Sequence, residues 1–103
     1  MKPLIKPKAC ENIQEIRDAI DVIDLEIVQL LAQRNEYVQE IVKFKSGDEG
    51  SIVASERRDL VLKQRKKWAQ ESGVDPEMME EIFKLLIEKN IKMQFDLYNK
   101  KDH

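Results

Sequence analysis

Residues 12 to 46 contain neither proline nor glycine, the prolines falling at 3, 7 and 76 and the glycines at 47, 50 and 73. Within this segment apolar side chains recur at Ile13, Ile16, Ile20, Ile23, Ile27, Leu30, Tyr37, Ile41 and Phe44, in steps of three and four residues. That spacing predicts one long amphipathic helix. Asn12 is suited to cap it, with Glu15 placed to reach back as in a capping box. At ~1.5 Å per residue, such a helix spans about 50 Å, against a radius of gyration of about 13 Å for a compact domain of this size. Part of the isoleucine seam would then lie beyond the reach of the rest of the chain, and a second copy is the expected cover.

One slot in the seam is not apolar. The position four residues after Leu30 and three before Tyr37 is Arg34. Lys45 follows eleven residues later, about 20° around a continuous helix and roughly 16 Å along it, so both cations are expected on one interior face. Burying a cation without an anion or acceptor costs several kcal/mol, so these positions require partners, supplied by the protein or by a ligand.

After the first helix, "SGDEG" at 46–50 reads as a turn. A second helix is expected from Ser55, as its cap, to Gly73, with Leu60, Val61, Gln64 or Arg65, and Trp68 on its buried face. "DPE" at 75–77 supplies an N-cap, an N1 proline and a first-turn acid for a third helix from about Pro76 to about Asn99. Its stripe reads Met79, Ile82, Phe83, Leu86, Asn90, Gln94 and Leu97, and "NKKDH" is expected to be a solvated end. No segment alternates with a period of two, so the fold class is all-α, three helices in a single domain over residues 1–103 with its core between about 10 and 98.

The composition excludes several chemistries. Eighteen basic and twenty acidic residues nearly cancel, which argues against a nucleic-acid or anionic membrane partner. Cys10 and His103 are the only cysteine and histidine, so neither a disulfide nor a metal site is expected. No apolar run approaches the ~20 residues of a membrane span, and "MKPLIKPKAC" lacks the apolar core of a signal peptide; the expected location is the cytoplasm. Taken together, Arg17, Arg34, Lys45 and Gln94 offer two guanidiniums, an ammonium and an amide, with no nucleophile, imidazole or cofactor. Such a set suits a small dianionic ligand. It confines catalysis to restraining conformation and stabilising charge on an oxygen, a limit that unimolecular pericyclic rearrangements satisfy. Each residue also has a structural reading. Arg34 and Lys45 are able to pair with acids such as Glu56, Lys45 to complement a helix end, and Asn90 and Gln94 to set a helical register.

The run "IRDAIDVIDLEIVQLLAQRNEYVQEIVKFK", the "ER" at 56–57, "WAQESGVDPEMMEEIFKLLI" and the glutamine eleven residues after Phe83 resemble the all-helical class of chorismate mutases. Within that class the chain looks most like the isochorismate-pyruvate lyases of salicylate and siderophore biosynthesis. The resemblance covers about Cys10 to Tyr98 and implies an intertwined, cofactor-free homodimer. It implies that Arg34 binds a substrate carboxylate and that Arg17 reaches the second carboxylate in the partner's site. It further implies that Lys45 and Gln94 hydrogen-bond the breaking ether oxygen and that Glu56 accepts the ring hydroxyl; Asn90 joins the substrate-binding set. Two positions depart from the enteric mutase pattern: Ser55 and Ile52 stand where those enzymes carry an arginine and an aspartate. That favours isochorismate cleavage to salicylate and pyruvate, with conversion of chorismate to prephenate as the alternative. A helical dimerisation or regulatory module without activity is the reading of a different class.

Overall fold

The structure is a computed structural model that describes residues 4–45, 50 and 54–101. Three α-helices account for most of the described residues: α1 (Ile13–Ile41), α2 (Ser55–Ser72) and α3 (Pro76–Lys101). Among the described residues there is no strand. The turn expected at 46–50 lies, apart from Gly50, outside the described residues, as do Ile52 and His103. The chain divides into two compact units, Met1–Glu36 and Tyr37–His103.

The first unit holds a 3-10 turn at Pro7–Ala9 and most of α1. Asn12 caps the helix as expected, its Oδ1 accepting the Glu15 N–H at 2.9 Å. The reciprocal bond is displaced by one residue: Glu15 Oε2 accepts from Glu11 N–H at 3.3 Å rather than from Asn12. Ile13, Ile16, Ile20, Ile23, Ile27 and Leu30 are each 42–60% exposed, so the apolar seam exists as a face and is uncovered in the single chain.

In the second unit α1 ends earlier than its sequence suggests. Val42–Phe44 tighten into a 3-10 turn and Lys45 leaves it in an extended conformation, φ −99° and ψ 146°, its N–H bonded to Val42 O at 3.3 Å. The tightening accompanies burial of Val42. Lys45 is therefore not a helical residue, and the wheel arithmetic that relates it to Arg34 does not apply. The start of α2 differs as well. Its N-cap is Ala54 in the left-handed region at φ 47°, with no side-chain cap, so Ser55 is the first helical residue and not the cap. A left-handed alanine costs on the order of 1 kcal/mol, which the rest of the packing must offset.

The α2–α3 connection follows the sequence closely. Gly73, at φ 76°, closes α2 with a Schellman motif: its own N–H reaches Gln70 O at 3.4 Å and Val74 N–H reaches Ala69 O at 2.9 Å. Asp75 then caps α3, its Oδ1 accepting the Glu77 N–H at 3.0 Å. The helices run antiparallel. Near the turn Lys66 Nζ binds Glu80 at 2.7 Å and Glu77 at 3.6 Å, and Lys84 holds the other oxygen of Glu80 at 2.9 Å. Val38, Val42, Val61 and Ala69 form the buried apolar centre. Leu60 and Trp68, expected inside, are exposed. Arg65 lies across the Trp68 ring at 4.5 Å and the Phe83 ring at 5.7 Å, which gives the indole a cation rather than a core to pack on. The third helix runs two residues beyond the expected Asn99.

The two lysines beside Glu80 hold its carboxyl down to about 2, and Lys66 is raised in turn by the same contacts. A depressed carboxyl stabilises the fold above its unfolded value and loses that contribution as pH falls through its folded one. Glu80→Gln should therefore lower the urea midpoint at pH 7, and the gap from the parent should close as pH falls from about 4.5 toward 2. A gap that stays constant across that range would show that Glu80 acts by packing alone.

Candidate functional site

Asn90 and Gln94 stand one turn apart on α3, and among the described residues they are the buried polar side chains. A helix in a small core has little reason to place two amides there unless both find partners. Gln94 does not find them all: its Oε1 is buried and accepts no hydrogen bond among the described residues. Such an acceptor carries a desolvation penalty of about 1–3 kcal/mol in the ligand-free protein. A side chain retained at that cost points to a donor from outside the chain.

The end of α1 approaches the same helix. Gln39 Nε2 lies 3.9 Å from the Met93 sulfur, and the Val42–Phe44 turn packs on α3, so Lys45 emerges beside the helix that carries the two amides. Lys45 is half-buried, and desolvation pushes its ammonium below the ordinary lysine value. Glu56 lies in the first turn of α2 with its side chain exposed. Lys45, Glu56, Asn90 and Gln94 all belong to the second unit. Arg17 and Arg34 belong to the first unit, Arg17 exposed and Arg34 half-buried. Desolvation also lowers Arg34 from the usual guanidinium range, the sign expected of a cation withdrawn from water at an apolar seam.

The sequence reading missed a cleft between α2 and α3. It encloses about 370 Å³, with Leu62, Ile87 and Ile91 as apolar walls and Arg58 and Asp59 on the α2 side. Ile87, Ile91 and Gln94 follow one another at steps of four and three, so the cleft and the buried amide share one stripe of α3. Asp59 lies three residues after Glu56, a spacing visible in the sequence, but only the opposing isoleucines of α3 make a cleft of it. Among the described residues no group of histidine, cysteine, aspartate and glutamate is arranged to hold a metal ion, and no helix is long and apolar enough to cross a membrane. The cleft also carries Lys84 and Glu88, so its rim holds charges of both signs above an apolar wall.

Comparison with known proteins bears on which ligand such a site takes. The profile of the chorismate mutase type II family matches residues 16–95. The chain is 42% identical to an isochorismate pyruvate lyase of Pseudomonas aeruginosa over 81 residues, 79% of each protein. It is 33% identical to a chorismate mutase of Methanocaldococcus jannaschii over 82% of this chain and 85% of that enzyme. A T-protein of Haemophilus influenzae matches at 31% identity over 72% of this chain but only 20% of its own length.

Gln94→Leu, similar in volume and without the orphaned oxygen, should leave thermal stability unchanged or raise it, by up to about 1 kcal/mol. A loss of more than about 1 kcal/mol on chemical denaturation would mean that the amide serves the fold.

Proposed function

Because the chain belongs to the chorismate mutase type II family, we propose that it is a cofactor-free pericyclic enzyme that cleaves isochorismate to salicylate and pyruvate. The observation that carries this reading is the buried Gln94 amide on an α3 face that Lys45 adjoins. Apolar packing has no use for an amide there, whereas the ether oxygen of an enolpyruvyl substrate, an acceptor, takes a hydrogen bond from its Nε2.

In this reading Arg34 binds one substrate carboxylate and Arg17 of a partner protomer binds the other. Lys45 and the Gln94 amide donate to the ether oxygen. As the C–O bond breaks, that oxygen, which ends as the ketone oxygen of pyruvate, builds negative charge in the transition state, so both contacts strengthen there. A ring hydrogen moves to the pyruvyl methylene in the same step, and the ring becomes aromatic. Glu56, at the head of α2, accepts a ring hydroxyl, and Asn90 borders the substrate beside Gln94. Burial lowers Arg34 and Lys45, and the negative charge of a bound dianion favours their charged forms and offsets that cost. Exposed isoleucines along α1 support a homodimer, because the face they form is large and uncovered. The similarity to a chorismate mutase supports a second reading, conversion of chorismate to prephenate by the same grip.

Incubation with isochorismate should yield salicylate and pyruvate at a higher kcat/KM than that for prephenate formation from chorismate, with no loss on adding a chelator. The reverse preference would favour the mutase reading, and turnover of neither would remove the enzymatic one. Lys45→Met should cost about 10²–10³ in kcat, the usual effect of removing one donor from a developing oxyanion. Its fold should not suffer, since the charge is desolvated. Retained turnover would make Lys45 a structural residue.

Arg17→Ala and Arg34→Ala should each be inactive, yet a refolded equal mixture should recover about a quarter of parental activity, because half the dimers are mixed and each then has one intact site. No recovery would place Arg17 outside the active site or in its own chain's site.

A further inference from the structure

Arg17 and Arg34 stand seventeen residues apart on α1, about 25 Å along its axis. No small dianion spans that distance, so both guanidiniums meet one ligand only when they come from different copies of the helix. Two parallel copies would set Arg17 beside Arg17, which leaves an antiparallel pairing. The seam specifies one. From Ile16 to Ile41 it advances by four, three, four, three, four, three and four residues, a series unchanged by reversal. A two-fold axis midway between Ile27 and Leu30 therefore lays the seam on its own copy, Ile20 against the partner's Tyr37 and Ile16 against the partner's Ile41. The seam side chains other than Arg34 are exposed in the single chain, and this pairing covers them.

Asp24 follows Ile20 by four residues and precedes Ile27 by three, and Arg17 stands seven residues before it. The two therefore share one flank of the seam, beside the row of Ile20, Ile27, Arg34 and Ile41. A two-fold axis sets each flank against the same flank of the other copy. In this register the partner's Asp24 is level with residue 33, beside Arg34, and the partner's Arg17 is level with residue 40, toward the end of α1 that leads to Lys45. Asp24 is exposed in the single chain, and the proposed reaction does not use it. We infer that Asp24 is a positioning residue that acts across the dimer: its carboxylate holds the guanidinium of the partner's Arg34 in the orientation that receives the substrate carboxylate. The inference rests on the pericyclic reading for the ligand and on its homodimer for the second copy. A guanidinium carries five donors in a planar fork, so a substrate carboxylate bound along one edge leaves donors on another edge for a second acceptor. Arg34 is half-buried in an apolar row, where a cation needs an anion close by, and Asp24 supplies one before the substrate arrives.

The test compares KM in two refolded equal mixtures, in each of which only mixed dimers are active and each through one site. In the first, a chain carrying Arg17→Ala and Asp24→Asn is mixed with Arg34→Ala, so the active site takes Arg34 from one chain and both Arg17 and Asp24 from the other. Its KM should be parental. In the second, Arg17→Ala is mixed with a chain carrying Arg34→Ala and Asp24→Asn, so the active site lacks only the partner's Asp24. Its KM should be about tenfold higher, the effect of losing one hydrogen bond to a charged group. Equal KM values would make Asp24 structural, and the reverse order would place it in its own chain's site; both overturn the inference and leave the pericyclic reading standing. A second measurement does not depend on turnover. In a Cys10→Ser background, Asp24→Cys and Arg34→Cys chains mixed and mildly oxidised should crosslink to each other, and neither should crosslink to itself to the same extent. If the parent turns over neither substrate the pericyclic reading fails, and the crosslink alone then decides whether the two positions meet; its absence overturns the inference.

Discussion

Water removed from polar side chains is the constraint on which the candidate site depends. In a chain of 103 residues the interior is small, and every polar group placed there must be met by a partner or be left at a cost. Val38, Val42, Val61 and Ala69 make an ordinary apolar centre, yet Asn90 and Gln94 are buried with them. Arg34 and Lys45, half-buried, are pushed toward their neutral forms by the same loss of water. The interior thus withdraws two cations and one amide acceptor from water.

The α2–α3 hairpin is the frame for this arrangement. Its turn is closed by Gly73 and opened again by Asp75, both through backbone geometry, and Glu80 draws Lys66 of α2 and Lys84 of α3 to one carboxylate. The clasp lies near the turn, so the two helices are aligned from that end. Further along, the same alignment sets Leu62 opposite Ile87 and Ile91 and brings Arg58 and Asp59 to the edge of the cleft between them.

Local signals were legible in the sequence. Asn12 and Asp75 cap their helices, and Gly73 ends α2 in the left-handed conformation. These features depend on residues within a turn of one another, and so did the register that put Asn90 and Gln94 on the packed face. Leu60 and Trp68 misled the reading because a helical wheel shows which residues share a face and not how wide a face the neighbouring helix covers. The cation of Arg65 beside Trp68 belongs to the same class of fact: its partner Phe83 comes from another helix.

By itself the sequence determined three helices, the N-caps of the first and third, and the identity of the polar residues that interrupt apolar stripes, since periodicity and capping are properties of neighbouring residues along one chain. The tertiary structure decided where α1 stops. Burial of Val42 tightens the last turn and sends Lys45 out in an extended conformation, and no propensity of "IVKFK" announces that. It also decided that Gln94 keeps an oxygen without a donor and that Arg58 and Asp59 border an apolar cleft. Both facts are set by the packing of α2 against α3, where the distance between two surfaces, and not the order of residues on either, determines which polar atoms are cut off from water.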